Sequence, residues 1–432
     1  MEEKKQKTHE YGKLKDMCRS IPQDFWENTS YAIILMMFML LIIDALTLQI
    51  RSFDYFLIEL IDGYYFVGGI AVIFVVFKSV IWLYVEGLNG IKTYFKSNLY
   101  EVMLIMLLLW TVVATIFSVN PERSLMGSGM RHAGLRSYII FTALYICGKG
   151  IRSTKNRKIL FWTLAVTSLA QDISIIMKFM GHYGSIDACF WNSNYCGYFL
   201  AMSTIAMAAM LVYEKNKYIR LILFVIYPFN LFCLIYNNTF GGYIAVVAGL
   251  IFLIIITLAG KNGRKYLSGI CMVLILFIIT NIYAEHETGY ISQNFNITGS
   301  DLKNISEKNE KSLEAGTGRM KIWIDGINCA LDNPVTGCGP DNKDIVGDIA
   351  CQAHNELIQI AADQGFVGLA LYMAALILLC IKKIKNIKNI SPETSVAGCI
   401  VFTYLISSLF GNMIFNPAMF YYVFMGNLSI DD

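Results

Sequence analysis

His354 opens the stretch HNELIQIAADQGFVGLALYMAALILL, which begins polar and ends as a membrane helix. Arg131 and Arg136 stand in SLMGSGMRHAGLRSYIIF, a short glycine-containing loop that runs into an apolar stretch. Arg319 starts the helical pattern in GRMKIWIDGINCALDNP. Guanidinium groups are always charged and donate paired hydrogen bonds, so they suit a phosphate or diphosphate. The start of a helix at HNELIQ adds free N–H groups and a partial positive charge. That field disfavours an imidazolium and leaves His354 neutral, able to accept a proton. A base beside an anion-binding surface is an arrangement for group transfer from a phosphorylated donor.

Plainer readings stand beside this one. An arginine near a membrane boundary often snorkels or sets topology, and a histidine at a helix start often caps it. Asp341, Asp344 and Asp348 could surround a divalent cation, but their spacing fits no known loop and a solvated face explains them. Glu285-His286-Glu287 is weaker still as a metal site. Asp44 and Asp172 lie inside apolar runs, where ionisable groups are costly and tend to be functional or paired; an interhelical hydrogen bond explains Asp172 as well as substrate contact does.

The elements that must position these residues are membrane helices. Of the 432 residues, 56% are hydrophobic and 16% charged, which excludes an ordinary soluble domain. Apolar runs long enough to cross a bilayer lie near 31–50, 64–85, 99–119, 136–149, 158–180, 194–213, 220–237, 240–259, 266–284, 366–382, 394–411 and 415–428. With the N-terminus inside, the inner segments carry 23 Lys and Arg and the outer segments 10. This bias predicts cytoplasmic termini. The basic residues at 1–20 have no apolar core among them, so that stretch reads as a cytoplasmic tail. The net charge of +3 is mostly this topological signal, and no nucleic-acid partner is expected. The expected organisation is a tail at 1–30, nine helices over 31–284, an outer loop domain at 285–365 and three helices over 366–432. Within the loop, the stretch from 285 to 318 reads as loosely ordered. Trp323, Ile327 and Ala330 or Leu331 mark one face of a helix that Pro334 stops. Leu357, Ile360 and Ala361 mark a second amphipathic helix, closed at Gln364-Gly365. The eleven cysteines form no framework; free thiols are expected, with one bridge among Cys329, Cys338 and Cys351 as the alternative.

Four stretches carry a resemblance to the superfamily of O-antigen ligases and polysaccharide polymerases. HNELIQIAADQGFVGL is similar to its His-Asn segment leading through Gly-x-x-Gly into a membrane helix. GRMKIWIDGINCALDNPVTGCGP resembles its Arg-x-x-x-Trp helix with Asn-Pro and a Gly-x-Gly turn. FWNSNYCGYFLA (190–201) resembles an Asn-x-Asn entry to a mid-chain span, and GMRHAGLRSYIIF its Arg-x-x-Gly-Leu segment. One departure stands out: many members carry Ser-Arg-Gly or Thr-Arg-Gly where this chain has NNTFGGYIA (237–245), with Phe240 at the place of the arginine.

The resemblance implies an all-α polytopic membrane protein of about twelve helices, similar to GT-C-type glycosyltransferases. It implies a glycan donor on undecaprenyl diphosphate, at the outer leaflet of the cell membrane. The acceptor hydroxyl belongs to a saccharide, a lipid core, the cell wall or a protein. His354 would be the base. Arg319, with Arg131 or Arg136, would hold the diphosphate, and Asn355, Glu356, Asn192 and Asn194 would contact the acceptor or support the site. Direct displacement would invert the anomeric centre without metal or cofactor. A transporter or lipid-linked oligosaccharide flippase is the competing reading, although paired intramembrane charges and an internal repeat, which such proteins show, are not evident.

Overall fold

The computed structural model describes residues 13–47, 56–129, 131–182, 184–190, 192–307, 313–316, 318–411 and 415–431. Half of the expected N-terminal tail's charged residues, those at 1–12, lie outside them, as does Arg51. Among the described residues the fold is all-α, with no strand. Helices α1 (Gln23–Thr47), α2 (Phe56–Ser97) and α3 (Leu99–Ile116) come first, followed by the short α4 (Pro121–Met126). Then come α5 (Leu135–Gly150), α6 (Thr154–Phe179), α7 (Ser193–Tyr213), α8 (Lys217–Tyr236), α9 (Phe240–Ala259) and α10 (Leu267–Thr288). The next segment holds α11 (Tyr290–Ser306), α12 (Arg319–Asp332) and the single turn α13 (Lys343–Val346). The chain ends with α14 (Glu356–Lys385), α15 (Pro392–Ser408) and α16 (Phe415–Leu428).

Nine of these helices are long and apolar enough to cross a membrane. The remaining three expected spans are helices too, but shorter: α5, α15 and α16 have 16, 17 and 14 residues. All three are largely buried inside the bundle, where contact with neighbouring helices takes the place of contact with lipid. α5 and α16 pack through small residues: a Cβ on Gly148 would sit 2.1 Å from the Val423 carbonyl oxygen, and one on Gly426 2.0 Å from that of Tyr145. Membrane helices associate through such close backbone approach, since lipid offers no hydrophobic drive between helices. α7, rich in Ala, Ser and Met, is buried along nearly its whole length.

Alternating helix directions create two polar faces. On one, Asn355 Nδ2 donates to the Leu409 carbonyl at 3.1 Å, Tyr198 to Phe410 at 2.9 Å, and the Phe415 amide to Arg131 at 3.3 Å. This is the face that carries residues 290–354, here the loop face. On the opposite face Arg157 donates to Asn427 and Thr394, and Glu101 receives Tyr145 and Lys149. Asp172, inside the bundle, accepts from Asn230 at 2.7 Å, so it ties helices together.

Two expectations change. The stretch after 285 is helical: α10 continues to Thr288, Gly289 turns the chain in a left-handed conformation, and α11 runs to Ser306. Its polar composition resembles disorder, but side chains anchor it: Asn294 donates to Asn238 at 2.8 Å, and Asp301 accepts the Gly316 amide. α12 forms where expected, but of the apolar residues that mark its face only Ala330 is buried. It buries Asp325, Gly326, Cys329 and Ala330 and leaves Ile327 and Leu331 exposed, because Asp325 has an ion-pair partner inside. Gly365, by contrast, breaks α14 as expected, with φ of 68°. A Cβ there would meet the Val335 carbonyl oxygen at 2.1 Å, so the turn after Pro334 seats against this kink. All eleven cysteines are free.

Candidate active site on the loop face

The segment 343–355 is built around a buried ion pair. Lys343, fully buried, pairs with Asp325 of α12. Its ammonium also donates to the carbonyls of Cys351 at 2.7 Å and Ile349 at 3.3 Å. Asp325 in turn accepts the amides of Asp348 and Ile349. Gln359, one turn into α14, accepts the Ala353 amide at 2.8 Å. Asn355 caps α14 by accepting the amides of Leu357 and Ile358, which satisfies two of the helix's free donors. Between these fixtures His354 takes a left-handed backbone, φ 49°, uncommon for a residue with a Cβ. Its Nε2 lies 3.4 Å from the Cys351 sulfur.

Burial, and then the charges of Arg319, Arg131 and Lys343, push the His354 pKa down to about 4. The neutral imidazole expected from the helix field is therefore present, but its main causes are desolvation and three cations. Arg319 also acts on the field at Tyr198 of α7, so α12 delivers its first residue to the same place. Arg131 lies 3.7 Å from Asp344 and hydrogen-bonds the hydroxyl of Tyr195. Asp344 is itself held by Arg123 through both oxygens at 2.6 Å. Asp341 accepts the Ser128 and Ala133 amides and the Gln352 amide group, clamping the 128–133 loop to the histidine segment. Both acids thus serve as braces for the site. Among the described residues no cluster of His, Cys, Asp or Glu is arranged to hold a metal. His286 pairs with its neighbour Glu287 at 3.0 Å.

The remaining singled-out residues have other positions. Arg136 stacks 3.3 Å above the Tyr65 ring and acts on His132, whose pKa burial and this arginine both lower. It is absent from the charges that set His354. Asn192 caps α7 by accepting the Asn194 amide at 2.9 Å, and the residues of that stretch that reach the arginines are Tyr195 and Tyr198. Glu356 is fully buried and accepts from Tyr372 at 2.9 Å, across the Gly365 kink of the same helix, and from Tyr404 and Ser408 of α15, an anchor beneath the histidine. Phe240 begins α9 inside an aromatic group, with Phe295 edge-on at 5.3 Å and Tyr243 parallel at 6.3 Å. Sequence reasoning gave no site role to Lys343, Asp325, Arg123 or the two tyrosines, and weighed Cys351 only as a possible disulfide partner. Both bracing acids, Asp341 and Asp344, had drawn notice as possible cation ligands.

Fold and site together define an all-α polytopic membrane protein that holds a neutral histidine among fixed cations at the end of its helix bundle. Residues 223–373 match the family model Wzy_C, described as O-antigen ligase. This match, which runs from within α8 into α14 and includes Arg319, Lys343, Cys351 and His354, supports the resemblance to the O-antigen ligase superfamily. It supports glycan transfer of the ligase or polymerase type in general. No curated protein matches the chain.

Proposed function

We infer that the loop face lies outside the cytoplasm, with both termini inside, and that the chain transfers a glycan there from undecaprenyl diphosphate to an acceptor hydroxyl. The observation that carries this reading is the neutral His354 flanked by Arg319 and Arg131. The acceptor oxygen attacks the anomeric carbon and the bond from that carbon to the diphosphate oxygen breaks. The leaving diphosphate takes the electron pair, and His354 takes the hydroxyl proton. One displacement inverts the anomeric centre. Arg319 and Arg131 bind the diphosphate and offset the charge that develops on it, as fixed donors do in a water-poor site. Two arginines supply the positive charge that a divalent cation would otherwise bring.

A base with a pKa of about 4 is weak for a proton transfer near neutral pH. The donor itself corrects this. A diphosphate between Arg319 and Arg131 offsets the field that holds His354 neutral, so the imidazole becomes more basic when the donor is bound. In the free protein the same field keeps the site cationic and ready for an anion. Arg136, stacked on Tyr65, then belongs to the wall of the site, and the aromatic group at Phe240 leaves donor charge to be met by Arg131 and Arg319.

The test replaces His354 with alanine and measures transfer from lipid-linked donor in reconstituted membranes, with Arg319→Ala beside it. Normal protein level with transfer lowered about 10²–10⁴-fold and donor accumulating supports the base role. Retained transfer in His354→Ala refutes it and reopens the transporter reading.

A further inference from the structure

α11 and α12 wear their apolar residues on the outside. No residue of α11 is buried, although Ile291, Phe295, Leu302 and Ile305 fall within an arc of about 80° at helical spacing. Phe295 is 52% and Leu302 63% exposed. Ile291 packs on the bundle and Phe295 meets Phe240 edge-on where the helix starts. Asn294 and Asp301 anchor the edge of the stripe, and Leu302 and Ile305 are left exposed beyond them. In α12 the inversion is sharper. Met320, Ile324, Ile327 and Leu331 occupy i, i+4, i+7 and i+11, and the last three are exposed, while the opposite side buries Asp325. A helix that buries a charge and exposes its apolar stripe meets something other than water on that stripe.

Two connections show what it meets. α11 leaves the end of α10, a helix long and apolar enough to cross a membrane, by the single turn at Gly289. α12 ends in the turn whose Pro334 carbonyl accepts the Phe366 amide at 2.8 Å. Phe366 and Val367, both exposed, begin the spanning part of α14 just past the Gly365 kink, and Val335 beside them is exposed as well. The stripe of α12 is therefore continuous with the surface that α14 presents to lipid. We propose that α11 and α12 lie in the plane of the membrane, their apolar stripes in the headgroup–acyl boundary of the leaflet on the loop face. The partner is the phospholipid bilayer itself, engaged as amphipathic interfacial helices engage it. Arg319, at the head of α12, is thereby held at headgroup depth. The proposal goes beyond the transfer reading and holds whichever glycan is moved.

The full chain is reconstituted in vesicles of phosphatidylethanolamine and phosphatidylglycerol, with an environment-sensitive fluorescent amino acid in place of Leu302 or Ile327. Ser300 and Lys321, on the polar sides, serve as controls. Doxyl-labelled lipid quenches positions 302 and 327 and aqueous iodide does not, while the controls show the reverse. Iodide quenching of 302 and 327 at the control level overturns the proposal. Protection from both quenchers also overturns it, since a second copy of the chain would then cover the stripe. Photoactivatable phospholipid applied to the unaltered chain gives an independent reading. Lipid adducts on 295–305 and 324–331 are expected, and adducts confined to the spanning helices refute the assignment.

Discussion

Replacing Lys343 by methionine tests whether the buried ion pair positions the histidine. The side chain is fully buried and Asp325 is 7% exposed. The substitution keeps the apolar stem but leaves the carboxylate with only the Asp348 and Ile349 amides, at 2.8 and 3.4 Å. It also strips a donor from the carbonyls of Ile349 and Cys351. Removing one partner of a buried pair costs about 3–5 kcal/mol, because the other charge stays buried and uncompensated. The side-chain hydrogen bonds of the pair lie within 325–351, so the cost falls on the closing of this segment. At about 1.4 kcal/mol per tenfold, the ratio of closed to open segment drops roughly 100- to 4,000-fold. Transfer should fall at least about tenfold, and Cys351 should react faster with a membrane-impermeant maleimide. The melting temperature of the bundle should move little. Asp325→Leu combined with Lys343→Met leaves neither charge stranded and should lose less than Lys343→Met alone, a non-additivity expected of contacting residues. Wild-type transfer together with unchanged Cys351 labelling in Lys343→Met would refute the reasoning.

Other outcomes follow from the same geometry. The pH profile of transfer at limiting donor should stay flat from neutral pH down to about 5 and decline near the His354 pKa of about 4; an acid limb centred near 6.5 would show an unburied histidine. In stability the sign is the same: the folded pKa lies below the ordinary 6.5, so this group's contribution is complete above 6.5 and is lost as pH falls towards 4. Cys351 is the half-buried thiol beside His354, while Cys329 and Cys338 are buried, so an impermeant maleimide applied to the loop face should abolish transfer and Cys351→Ser should be resistant. Gly365→Ala forces a Cβ onto the Val335 carbonyl oxygen at a φ of 68°. Its melting temperature should drop, by an amount set by a left-handed penalty of about 1–2 kcal/mol plus the clash, and normal stability would show that the kink relaxes.

The amino-acid sequence by itself determined the membrane helices, because runs of apolar residues have no other solvent available to them, and it determined the break at Gly365 through local backbone chemistry. It also pointed to His354 and Arg319 as partners in one site through family resemblance. Tertiary structure decided the rest. Whether Arg131 or Arg136 reaches the histidine depends on whether Asp344 or the Tyr65 ring claims each guanidinium, and those partners lie far away along the chain. The orientation of α12 could not follow from its apolar stripe, since the stripe meets lipid or protein equally well; the buried partner Lys343, eighteen residues beyond Asp325, turned it. The polar stretch at 290–306 folds because Asn238 and the Gly316 amide meet its side chains, and composition carries no record of such distant contacts. Lys343, Asp325 and Cys351 look ordinary in the sequence. Only the closed segment shows that burial makes a lysine and an aspartate a fixture, and that the fixture sets a thiol against the imidazole.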